Sequence, residues 1–141
     1  MQLLADLATM LFGLTQKPAA ALNTNTNGLG VDLKDAGVRT NLIVCLGALH
    51  ANAILSVNVL ESDDNTTFVA PADTTNTNTG NFNTGNSNTM VVKSFQRGKR
   101  YVRADVALSG TNADALVTAA FVAQPKSGGA NNAGYSIAPQ S

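Results

Sequence analysis

The clearest signal along this chain is a period-two alternation of apolar and polar positions. In "AILSVNVLES", residues 53–62, Leu55, Val57 and Val59 fall on one side and Ser56 and Asn58 on the other. That is the pattern of a strand with one buried and one solvated face. "RYVRADVAL", residues 100–108, repeats it, with Val102, Ala104, Val106 and Leu108 inward and Tyr101, Arg103 and Asp105 outward. "NLIVCLGAL", residues 41–49, is a continuous apolar run and reads as a strand covered on both faces, with Cys45 a buried thiol. "VDLKDAG" gives a short strand and a turn, and "TFVAP" and "TMVVKSF" give further strands. "QRGK" is a turn, "SGTNAD" a hairpin loop and "ALVTAAFVAQ" the last strand. About seven strands separated by turn signals predict an all-β antiparallel sandwich, jelly-roll-like.

Three segments break the alternation. Residues 1–15 carry Leu3, Leu7, Met10 or Leu11, and Leu14 at helical spacing, bounded by Gly13 and Pro18, and predict a short amphipathic helix. The apolar "TMLFGL" within it also fits a strand. The segment resembles a signal peptide but lacks a positive leading region, and Asp6 interrupts it. Its apolar run is shorter than the roughly 20 residues a membrane span needs. Residues 73–89, "DTTNTNTGNFNTGNSNT", form a tract of Asn, Thr and Gly that must be ordered by its own side-chain hydrogen bonds or by a partner. Residues 126–141 read as an extended tail with one apolar anchor, Tyr135 and Ile137. The expected organisation is an arm and joint over 1–30, a β-sandwich over 31–125 and a tail over 126–141.

Composition sharpens this picture. In 141 residues, charged side chains make up 13%, against a usual figure of about 25%, and Asn and Thr take their place. Neutral polar side chains suit surfaces that meet protein, where a charge would have to shed its water. One cysteine rules out a disulfide within the chain, as expected for folding in a reducing compartment.

Candidate chemistry is sparse. Glu61, Asp63 and Asp64 are the best metal-ligand candidates, and so the basis for a hydrolase reading. They lack the spacing of a calcium loop and fit a turn capped by its own side chains. His50 is the only histidine and fits a structural position at a strand end. The sequence therefore predicts no enzyme, no cofactor and no metal. Lys93, Arg97, Lys99, Arg100 and Arg103 are five of the nine basic residues and lie within one short run. Nucleic-acid binders pair such a run with stacking aromatics and a strongly basic balance. Here there is one neighbouring tyrosine, Tyr101, and a net charge of zero. Nucleic-acid binding is not expected, and a solvated turn or a protein-docking patch is.

Two pieces, "NVLESDDNTTFVA" and "RGKRYVRADVALSGTNADALVTAAFVAQP", occur together about thirty residues apart. The pair resembles a family of small virion structural proteins of tailed bacteriophages, over roughly residues 40–125. The long Asn/Thr tract departs from that family's usual form. The resemblance implies a head decoration, or cement, protein on the capsid surface, present in the host cytoplasm during assembly. Its implied partners are the major capsid protein and further copies of itself, with a trimer favoured, and neither nucleic acid nor membrane. Leu3, Leu7, Leu14, Tyr135 and Ile137 are then the expected apolar anchors. Arg97, Lys99, Arg100 and Arg103 are the charges expected to orient the domain. A head or tail fibre module binding a host receptor or glycan is the alternative.

Overall fold

The computed structural model describes residues 11–14, 22–111 and 113–125. It is an all-β sandwich. Among the described residues, seven strands run in chain order: β1 (Leu11–Leu14), β2 (Val31–Asp32), β3 (Ala36–Leu49), β4 (Ile54–Ser62), β5 (Met90–Gln96), β6 (Tyr101–Ser109) and β7 (Ala115–Pro125). One sheet, here sheet A, has the order β1-β7-β3-β5, and sheet B the order β2-β6-β4. All pairings between these strands are antiparallel.

The topology is a long hairpin rolled up. The Asn/Thr tract forms its tip, running beside β4 with bridges from Leu55 to Phe82 and from Asn58 to Asn78. Outward from that tip, β3 pairs with β5, β2 with β6 and β1 with β7. Successive pairs alternate between the sheets. Rolling then joins β3 to β7 and β4 to β6. With the tract as an irregular eighth strand, this is the wrapping of a jelly roll.

The core forms where the two inner faces meet. Leu42, Val44 and Leu46 of β3 and Val117, Ala119 and Phe121 of β7 face Leu55, Val57 and Val59 of β4 and Val102, Ala104 and Val106 of β6. Phe95 and Phe121 pack edge to face, ring centres 6.0 Å apart. Alternation in β4 and β6 thus predicts their inner rows correctly.

Several local expectations change. "SGTNAD" is a crossing from sheet B to sheet A rather than a hairpin, because β6 and β7 do not pair. There Gly110 has φ +119°, and a side chain on it would strike the Asn52 carbonyl. "TFVAP" contributes a single bridge, Val69 to Glu61, instead of a strand. Leu11–Leu14 is a strand, Phe12 opposite Val122 and Leu14 opposite Ala120, so the strand alternative holds there. Cys45 is exposed, not buried. β3 alternates like its neighbours and has only its inner row fully covered.

The tract is ordered by its own domain. Phe82 and Thr77 are buried. Phe82 exchanges backbone hydrogen bonds with Leu55, Thr79 N donates to Val57 O, and Thr79 Oγ1 accepts from Val57 N. Asn83 and Asn86 cap a single 3-10 turn over Thr84–Asn86. The short side chains supply hydrogen bonds that a regular ladder would otherwise provide.

Candidate docking surface

The basic run folds inward on itself. Arg97, at the end of β5, donates from all three guanidinium nitrogens to main-chain oxygens. Nε reaches Gly37 O (3.2 Å), Nη1 reaches Lys99 O (2.7 Å), and Nη2 reaches Leu33 O (2.8 Å) and Ala36 O (2.5 Å). It ties the turn before β3 to the turn after β5. Burial works against its positive charge, and the neighbouring Glu61 carboxylate favours it. Glu61 is itself buried, and accepts hydrogen bonds from Gly98 N (2.7 Å) and Lys99 N (3.3 Å). These two charged groups together fix the β5–β6 turn.

Three of the other four cations of the run, Lys99, Arg100 and Arg103, are paired nearby. Lys99 Nζ lies 2.5 Å from Asp63, and this hydrogen bond raises the lysine's affinity for its proton. Arg100 forms a two-pronged contact with Asp32 and lies over the Tyr101 ring. Arg103 pairs with Asp105 and lies 4.3 Å from the centre of the Phe68 ring. Such pairing spends donors that an external carboxylate would need.

Asp64 accepts from Ser62 Oγ, Thr66 N and Thr67 N, as a turn-capping aspartate does. Among the described residues, no three His, Cys, Asp or Glu side chains gather as a metal site. His50 follows β3, and its Nδ1 accepts from Asn52 N. Leu3, Leu7, Tyr135 and Ile137 lie outside the described residues.

These carboxylates give a pH prediction. The Arg100 hydrogen bond holds Asp32 below its usual 3.8, at about 2, and hydrogen bonds led by Thr67 N do the same for Asp64. The unfolded chain therefore takes up protons at these sites at higher pH than the folded protein. Their contribution is fully present above 3.8 and is lost as pH falls towards about 2. Thermal unfolding midpoints measured across pH should fall through that window. Substituting Asp32→Asn and Asp64→Asn together should flatten the fall.

What the sequence did not single out is the outer face of sheet A. Ile43, Cys45, Met90, Val92 and Leu116 occupy it, on three adjacent strands. Cys45 is opposite Met90, and Ile43 opposite Val92. Met90 is 66% exposed, Val92 54% and Leu116 39%. Towards the other end of the same face, the row turns polar with Arg39, Asn41, Ser94 and Gln96. The available signal was the unbroken apolar run in "NLIVCLGAL" and "TMVV", which supplies apolar residues to both faces of a sheet with one covered face.

No family model matches this chain, and no curated protein does. Among solved structures, the SPBc2 prophage-derived protein YomS is similar, with 16% identity and a TM-score of 0.49, covering 81% of this chain and 93% of that one. A similarity at that level transfers neither a role nor a site to this chain.

Proposed function

We propose that this protein is a non-enzymatic structural component of a tailed-phage virion. In this reading it decorates the head by docking the outer face of sheet A on the major capsid protein. The observation that carries the proposal is the exposed apolar row of Met90, Val92, Leu116 and Cys45 on a sheet whose inner face is already spent on the core. Flat apolar surface rimmed by neutral polar groups is the composition of a protein-docking patch. The paired motifs around Glu61 and Arg100, with their resemblance to phage virion proteins, supply the class of partner. Association into a homo-oligomer, a trimer being the favoured count, belongs to the same proposal.

The pairing of the basic run within the domain moves the expected contact. Arg97 serves as an internal clamp, and the orienting role passes to the polar end of the sheet face. A domain that binds only the assembled lattice stabilises that lattice by mass action. Many weak contacts repeated over a closed shell add up because each docked copy holds its remaining contacts at high local concentration.

Counting copies in purified particles tests the reading. Hundreds of copies distributed over the head are expected. A handful at one vertex, or binding to host glycans with none to heads, would instead assign the protein to the tail and overturn the decoration role.

A further inference from the structure

We propose that β5 pairs through its free edge with β5 of a second copy of this chain, antiparallel, about a two-fold axis at Val91. The inference does not depend on the docking role.

β5 is the last strand of sheet A on its side. Leu46 N donates to Thr89 O and Arg97 N donates to Val38 O, so odd-numbered residues along this strand direct their backbone groups at β3. Met90, Val92, Ser94 and Gln96 therefore direct theirs away from the sheet. Side chains of the 73–76 loop cap two of these positions. Asp73 accepts from Gln96 N at 3.0 Å, and Asn76 donates to Ser94 O at 3.1 Å. Among the described residues, the backbone groups of Met90 and Val92 have no such cap. Both side chains are exposed. Natural sheets cover or charge an open edge of this kind.

The open stretch is its own complement. In an antiparallel self-pairing only outward-directed residues exchange hydrogen bonds, so even positions meet even positions. An axis at Met90 sets Val92 against Asn88, which has φ +59° and precedes the strand. An axis at Val92 sets Met90 against Ser94, whose carbonyl Asn76 already holds. An axis at Val91 sets Met90 of each copy against Val92 of the other. Every open N–H then meets an open carbonyl, in four hydrogen bonds. A two-fold contact of this kind needs no second surface, because one patch serves both copies.

The side chains agree with this register. Met90 of one copy lies beside Val92 of the other on the outer face. The axis stands perpendicular to the sheet, so both outer faces look the same way and their apolar rows, Met90 with Cys45 and Val92 with Ile43, join into one surface. On the inner row Val91 meets Val91. Lys93 falls opposite Thr89, and the two lysines stand roughly 14 Å apart, four residues along the ladder. That exceeds the screening length of about 10 Å, so like charges do not oppose the pairing. The contact is short, so it forms as concentration rises or where copies are held side by side. It does not close a ring of three. Where trimers form, it links one trimer to the next.

Cross-linking of the full-length chain reads the register. In a Cys45→Ser background, Val91→Cys places two thiols on directly opposed residues with Cα atoms about 4.5 Å apart, within disulfide reach. In a glutathione redox buffer it should form a covalent dimer at least roughly tenfold faster than Lys93→Cys, whose thiols lie too far apart. Mixing Lys93→Cys with Thr89→Cys should restore the link, since those positions face each other. In sedimentation, the wild-type mass should double as concentration rises. Val92→Pro removes an outward N–H, leaves the β3 ladder intact and should lose the doubling. Equal cross-linking of Val91→Cys and Lys93→Cys would overturn the inference. So would a wild type whose mass never doubles, or a folded Val92→Pro that associates as tightly as wild type.

Discussion

Replacing Arg97 with alanine should lower folding stability by about 3–4 kcal/mol, the largest loss expected from any residue of the basic run. Its guanidinium holds four main-chain oxygens, from Leu33, Ala36, Gly37 and Lys99. A hydrogen bond from a charged donor contributes about 1.5–3 kcal/mol, and water that enters the gap recovers part of the sum. The Glu61 carboxylate also loses a nearby positive charge while it stays buried. Arg97→Lys should retain the charge and still lose about 2 kcal/mol, since an ammonium does not reproduce the planar fork. Urea unfolding measures both. Arg100→Ala, at an exposed ion pair, should leave the midpoint near wild type. If Arg97→Ala behaves like Arg100→Ala, the clamp does not hold the two turns together.

The contrast between these two arginines shows where sequence reading reaches its limit. Both lie in one basic run, and composition treats them alike. What separates them is the turn geometry that aims Arg97 at the carbonyls before β3, some sixty residues earlier in the chain. Inner rows such as Leu55, Val57 and Val59 were legible, because a pleated strand converts order along the chain directly into side. The outer face of β3 was not. An apolar run fits a doubly covered strand equally well, and only the count of layers decides between the two. Sheet membership was hidden for the same reason: β6 and β7 sit either side of a turn that, locally, reads as a hairpin. Phe82 was lost among Asn and Thr because one buried aromatic carries no periodicity. Yet that ring and the Leu55 ladder make the tract the partner strand of β4.

The second large effect is on docking. A charge placed in the centre of an apolar contact must be stripped of water without a partner. Val92→Asp, alone or with Met90→Lys, should weaken binding to heads by roughly a hundredfold, equivalent to about 2.7 kcal/mol. Both side chains are largely exposed, so stability should change little. Lys34→Glu, in the exposed turn between β2 and β3, alters charge away from the face and serves as the control.

The central claim is tested most directly by titrating purified heads that lack this protein with the wild-type chain and with Val92→Asp, and measuring the bound copies at each concentration. The account predicts saturable, lattice-wide binding of the wild type, unchanged binding of Lys34→Glu and loss of binding by Val92→Asp. Wild type and Val92→Asp saturating the same sites with the same affinity would contradict it, as would a wild-type chain that does not bind heads at all.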